Sequence, residues 1–145
     1  MQDLPHHYHV NASAEAEGNI TLKAEDLPQL VTAAPAEFGG PGDQWSPETL
    51  LVGAVADCFI LTFRAIARAS QLEWTTLECS AEGVLARVER VTRFTAFTVR
   101  ATLTVPAGSD PDKARRLLEK AEGSGLVTRS MLAETHLEAE VIVAA

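Results

Sequence analysis

The run Trp45–Leu72, WSPETLLVGAVADCFILTFRAIARASQL, constrains the fold more than any other stretch of the chain. Ser46 suits a helix cap, Pro47 suits the first helical position, and Glu48 puts a negative charge in the first turn. From Leu50 to Ala69 there is no proline, and the only charges are Asp57, Arg64 and Arg68. On a 3.6-residue helix these three lie within about 20° of one line. The remaining circumference is apolar or small. A helix of that kind either crosses a membrane or runs through the centre of a fold. Three charges at roughly 2.5–3.5 kcal/mol each near mid-bilayer favour the centre of a fold. The expectation is a buried helix of about six turns with Cys58 near its middle.

The flanking sequence reads as sheet. His6–Ser13 and Asn19–Ala24 have strand character around a turn at Glu15–Gly18, and Leu30–Thr32 suits a third short strand. His6, His7 and His9 invite a metal reading, since His7 and His9 would share one strand face. No carboxylate falls at ligand spacing there, so no metal site is expected and a solvated edge strand is preferred. Ala33–Asp43, rich in proline and glycine, must be a loop before the helix, with Phe38 and Trp45 as candidates for lining a pocket.

Beyond the helix, Trp74–Glu82 and Gly83–Val91 form one long extended stretch with a bend expected at Gly83. Phe94–Val105 alternates almost strictly, with Phe97, Val99, Ala101, Leu103 and Val105 on one face. Cys79 shares a face with Leu77 and Ala81 and reads as a core thiol. Ser109 or Asp110 caps a second helix led by Pro111, with Ala114, Leu117, Leu118 and Ala121 as its apolar stripe. Leu126–Leu132 suits one or two further helical turns, and His136–Ala144 a final strand. The element order predicts an α+β domain over residues 1–145, with antiparallel sheet around the long helix.

At 145 residues the chain is large enough for a core of its own. A net charge of −8 argues against tracking a phosphate backbone, so no nucleic-acid partner is expected. The polar N-terminus, MQDLPHHYHV, has no signal-peptide pattern, and two cysteines do not make a disulfide framework. A cytoplasmic protein with no membrane partner follows. Cys58 by itself is open to two readings: a small core hydrophobe, or a reactive thiol.

The segment SPETLLVGAVADCF resembles the one that precedes the reactive cysteine of the OsmC-like family (osmotically inducible protein C and the organic hydroperoxide resistance proteins). Its parts are Pro47-Glu48, small and aliphatic residues to Ala56, then Asp57-Cys58-Phe59. The resemblance continues through GVLARVERVTRFTAFTVRATLTVP, DPDKARRLLEKAEG and the GLVTRSM–HLEAEVIV ending, and covers nearly the whole chain.

Membership would imply an interleaved homodimer with two central helices packed in its middle. It would also imply reduction of a small-molecule hydroperoxide by thiol chemistry, with no cofactor. Cys58 matches the attacking cysteine and Glu48 the family's glutamate, which lies about 15 Å away along one helix. Two family features have no counterpart. The position of the second, resolving cysteine is Gly125, and no arginine precedes Arg64, leaving Lys23 as the one basic side chain upstream of the helix. A one-cysteine enzyme served by an external thiol reductant is one expectation. A catalytically degenerate dimer that binds a small apolar ligand is the other. Cys79 is a substitute resolver only if its Cα comes within about 7 Å of that of Cys58.

Overall fold

The long helix α1 spans Pro47–Ala69, as its capping residues predict. Ser46 Oγ accepts the Thr49 N–H at 3.1 Å, while Thr49 Oγ1 accepts the Ser46 N–H at 2.8 Å. This reciprocal pair satisfies two donors that helix geometry leaves free, with threonine in the place often held by glutamate. At the other end Gln71 adopts a left-handed conformation (φ 56°). The Leu72 N–H then reaches back to the Ala67 carbonyl at 2.9 Å and the Gln71 N–H to that of Arg68 at 3.2 Å. That closure needs no glycine, because the paired carbonyls offset the cost of the strained residue.

The computed structural model describes residues 1–145, which fall into two compact units, Met1–Leu50 and Leu51–Ala145. In the first, β1 (Asn11–Ser13), β2 (Ile20–Lys23) and β3 (Leu30–Thr32) form an antiparallel sheet in that order. The strand expected from His6 begins only at Asn11. Asn11 pairs with Lys23, and beyond Lys23 the chain turns through Asp26 at φ 62°, so residues 6–10 meet no partner strand. His7 and His9 therefore lie off the sheet, and the shared strand face on which a metal reading rested does not form. Between β3 and α1 the chain makes a single 3-10 turn at Ala36–Phe38. It rejoins the sheet where the Ala33 N–H meets the Trp45 carbonyl at 3.0 Å. Gly40 is required here, since a Cβ would fall 1.7 Å from the Ala34 carbonyl oxygen.

The second unit holds β4 (Thr76–Val88), β5 (Val91–Val105), α2 (Pro111–Ser124), α3 (Leu126–Arg129) and β6 (Glu134–Val143). The sheet order is β4-β5-β6. β4 and β5 make the expected antiparallel hairpin, but β6 lies parallel to β5, so this sheet is mixed. Helix α2 carries the chain back across the sheet between β5 and β6, which is what a parallel neighbour requires. Asp110 caps α2 by accepting the N–H groups of Asp112 and Lys113 at 2.9 and 3.3 Å.

One face of the sheet is the core. Phe97, Val99, Ala101, Leu103 and Val105 are buried against Val55, Phe59, Phe63 and Ala67 of α1 and against Ala114, Leu118 and Ala121 of α2. The α1 residues recur every four positions, so one stripe of the helix faces the sheet. By length and composition α1 would also serve as a membrane span. In the fold that stripe packs on β5, while Leu61 on the opposite side is 53% exposed. Gly83 permits the close approach. A Cβ there would meet Val52 at 2.8 Å, Phe94 at 2.9 Å and Phe97 at 3.0 Å. The bend expected at this glycine appears as a register shift between Val84 and Leu85.

The β4–β5 hairpin closes through Glu89 and Arg90, both at positive φ (49° and 71°), between the paired Val88 and Val91. A two-residue turn of this form favours asparagine and glycine, and each ordinary residue in the left-handed region costs roughly 1–2 kcal/mol. The double substitution Glu89→Asn, Arg90→Gly is expected to stabilise the protein by about 1 kcal/mol. Urea unfolding at constant m checks this; an unchanged midpoint would mean that the turn is not strained.

Candidate functional site

Cys58 lies beside the buried stripe of α1, about 60° around the helix from Val55. That rotation turns its half-buried thiol away from the sheet and toward the end of α2 and the start of α3. There it opens into a small, partly open cavity of about 10 Å³. Val55, Phe59, Val99 and Ala121 form the apolar wall, and Glu122, Gly125, Thr128 and Thr135 the polar one. The volume is that of about one water-sized group. Thr62, one turn along α1, places its Oγ1 3.8 Å from Cys58 Sγ.

Gly125 faces the thiol directly. A Cβ at this position would sit 4.0 Å from Cys58 Sγ, 3.3 Å from Thr128 Oγ1 and 3.8 Å from the Ala121 carbonyl. Its backbone (φ −64°, ψ 122°) is open to any L-residue, so the glycine leaves space and relieves no strain. Thr128 Oγ1 donates to the Gly125 carbonyl at 3.1 Å and fixes the turn from α2 into α3.

Glu122 is the ionisable side chain that shares the cavity with Cys58. The Thr135 hydroxyl donates to its Oε1 at 2.6 Å, joining α2 to β6 across the cavity floor. No lysine or arginine lines the cavity. Arg129 is exposed at the end of α3. Arg64 belongs to a separate open cleft with Arg68 and Trp74. Neither supplies a cation to the thiol within the chain.

The other candidate residues fall elsewhere. Cys79 takes its place on the core side of β4, opposite Ala101. It is a free thiol, and burial pushes it up to about 11. The lining of the Cys58 cavity does not include it. Glu48 belongs to the Met1–Leu50 unit, in the first turn of α1, where its Oε1 is buried with no hydrogen-bond partner. The cavity at Cys58 is built from residues of the second unit alone. Phe38 and Trp45 are 60% and 53% exposed and line no cavity around the thiol.

Sequence reasoning missed Glu122, Thr128 and Thr135. A signal for Glu122 was present: it stands four residues after Leu118 and next to Ala121, at the edge of the buried stripe of α2. Thr135 is the polar member of the inward series Thr135, Leu137, Ala139 and Val141, and the strand expected from His136 began one residue too late to include it.

Comparison with known proteins agrees with this architecture. The family model described as OsmC-like protein matches residues 40–140. An uncharacterized protein of Bacillus subtilis, YmaD, is 27% identical over 143 residues, 95% of each chain. Among solved structures, an OsmC-like protein of unknown function from Vibrio cholerae superposes with a TM-score of 0.85 at 16% identity, covering 93% of this chain and 99% of that one. An organic hydroperoxide resistance protein from Elizabethkingia anophelis gives 0.77 at 15% identity, covering 99% and 100%. One from Legionella pneumophila gives 0.75 at 20%, covering 97% and 99%. Since the family match extends over most of the chain, from the loop before α1 into β6, the protein belongs to the OsmC-like family.

Proposed function

We propose that the protein is a thiol-dependent peroxidase that reduces organic hydroperoxides with Cys58 alone and is recycled by an external thiol in a reducing cytoplasm. The observation that carries this reading is the placement of Cys58 Sγ at a small, partly open cavity directly opposite Gly125. The thiolate attacks the distal oxygen of the hydroperoxide, an S–O bond forms as the O–O bond breaks, and the alkoxide leaves as alcohol after taking a proton. Cys58 is left as sulfenic acid. With glycine at 125 no side-chain sulfur stands opposite to close a disulfide, so an incoming thiol has the space to do so.

The lack of a cation in the cavity favours a second reading, a degenerate dimer that binds a small apolar ligand. A volume of about 10 Å³ weighs against it, having room for a peroxide oxygen but not for an apolar body. Mass spectrometry after stoichiometric cumene hydroperoxide and a sulfenate-trapping dione separates the two. The peroxidase reading expects an adduct at Cys58, none in Cys58→Ser, and none at Cys79, whose buried thiol stays neutral. A Cys58–Cys79 disulfide would assign Cys79 the resolving role. No oxidation of Cys58 under conditions that oxidise free glutathione leaves the binding reading.

The working form is proposed to be a homodimer. Asp57, Arg64 and Arg68 are exposed and make no salt bridge within the chain. Asp57 and Arg64 flank the exposed Leu61 on one side of α1. Two such helices crossing antiparallel would bring each Asp57 to the other's Arg64, whereas a parallel pair would oppose like charges. Glu48, with a buried and unpartnered oxygen, is a further group that a second copy can satisfy, and it is proposed to orient the catalytic site from there. Sedimentation should give about 31 kDa, twice the 15.5 kDa chain. Asp57→Arg should weaken the dimer and the exchanged pair Asp57→Arg, Arg64→Asp should restore it. A wild-type monomer at micromolar concentration would contradict the proposal.

A further inference from the structure

Thr62 is the side chain that bonds the Cys58 sulfur: its Oγ1 lies 3.8 Å from Sγ, one turn along α1. Hydroxyls in the other helices turn back on their own backbone. Ser124 and Ser130 donate to the carbonyls four residues earlier, at Lys120 and Leu126, and Thr128 to that of Gly125. Such back-bonding is a common fate of a helical hydroxyl. Thr62 instead directs its oxygen at the sulfur. It is half-buried and does not line the cavity, so it meets the sulfur from along the helix and leaves the side facing Gly125 free. The surroundings of the sulfur hold no positive charge. Of the elements packed around it, α2 brings the Glu122 carboxylate, β5 brings Val99, β6 brings Thr135 and α3 brings Thr128. Asp57, its neighbour on α1, is exposed. Both ionisable neighbours therefore carry the sign of a thiolate. The hydroxyl hydrogen of Thr135 is committed to Glu122 and that of Thr128 to the Gly125 carbonyl. Among side chains, support for a charged sulfur falls to Thr62.

We propose that Thr62 is a catalytic residue, whose hydroxyl donates to the Cys58 sulfur once that sulfur is charged and holds it as the attacking thiolate. The proposal rests on the one-cysteine peroxidase reading. In the neutral pair either group can donate, and the contact is long. A thiolate can only accept, so the hydroxyl hydrogen is then fixed on the sulfur, and charge-assisted hydrogen bonds are shorter than neutral ones. The hydroxyl transfers no proton. The thiol proton goes to solvent, the sulfur bonds the distal peroxide oxygen as the O–O bond breaks, and the alkoxide takes a proton from water. Such a donor has two opposed effects. Two or three donors lower a carboxylate by about two units, so one donor is worth about tenfold in the ionised fraction at neutral pH. A sulfur held in this way is a weaker nucleophile by about threefold, because reactivity follows basicity with a slope of about 0.4–0.5. The net gain at neutral pH is about threefold, and it reverses where the thiol ionises without help.

Alkylation by iodoacetamide across a range of pH, read at the Cys58 peptide by mass spectrometry, tests this in wild type, Thr62→Val and Thr62→Ser. Valine keeps the branched shape and removes the donor, while serine keeps the hydroxyl. Thr62→Val should react about threefold slower than wild type at pH 7 and about threefold faster on the alkaline plateau, so that the two profiles cross. Thr62→Ser should follow wild type. A hydroxyl that merely packs would alter access alone and change the rate by one factor at every pH. Parallel or superimposed profiles would overturn the proposal. Single-turnover oxidation by cumene hydroperoxide at pH 7 runs alongside, with sulfenate expected to form about threefold slower in Thr62→Val. Equal rates of sulfenate formation in wild type and Thr62→Val would overturn the catalytic role. Crossed alkylation profiles with no sulfenate in any of the three proteins would sink the peroxidase reading and the catalytic role with it, while the donation to the thiolate stands.

Discussion

Everything in the Leu51–Ala145 unit depends on the contact between one stripe of α1 and one face of β5. Val55, Phe59, Phe63 and Ala67 meet Phe97, Val99, Ala101, Leu103 and Val105, all of them buried. Fully burying an aliphatic or phenyl side chain is worth roughly 1.5–3 kcal/mol, so this interface outweighs any single hydrogen bond in the unit. It also fixes rotation. With four-residue spacing aimed at the sheet, α1 has one orientation that fills the core, and Gly83 sets how near it comes. Cys58 is a passenger on that rotation. The same packing that buries Phe59 turns the neighbouring thiol toward α2 and α3.

The second constraint is the crossover. Because β6 runs parallel to β5, the chain must travel the length of the sheet between them, and α2 does so on the core side through Ala114, Leu118 and Ala121. The crossover ends at Gly125 opposite Cys58, and β6 then begins with Thr135 beside Glu122. Three segments distant in sequence thus meet at one thiol. By contrast the surface ion pairs, Arg100 with Glu138 at 2.6 Å and with Glu82 at 3.9 Å, lie on the exposed face of the same sheet. With both partners half-exposed or more they add little to stability.

Much of this was legible in the sequence wherever local chemistry decides structure. Ser46 and Pro47 mark the start of α1, Asp110 and Pro111 that of α2, and near-strict alternation marks β5. Cys58 stood out because the surrounding SPETLLVGAVADCF resembles the segment before the family's reactive cysteine, and Gly125 because it replaces a residue the resemblance calls for. What the sequence did not disclose depends on long-range geometry. The parallel pairing of β6 is set by how α2 crosses, which no alternation pattern records. The strand character of His6–Val10 was real in composition but had no partner, since β2 ends at Lys23. Glu122 and Thr135 become a pair only once α2 is laid on β6.

The central claim is that position 125 stands directly opposite the Cys58 sulfur, so that the missing second cysteine is a vacancy in a formed site. Replacing Gly125 with cysteine tests this most directly, because its Cβ would lie 4.0 Å from that sulfur and needs only a small adjustment against Thr128. Under mild oxidation the account predicts a disulfide between Cys58 and the introduced thiol, mapped by peptide mass spectrometry. Closing so long a loop should stabilise the oxidised variant by about 2–4 kcal/mol. Two thiols that stay titratable under the same oxidant, with the variant folded, would contradict it.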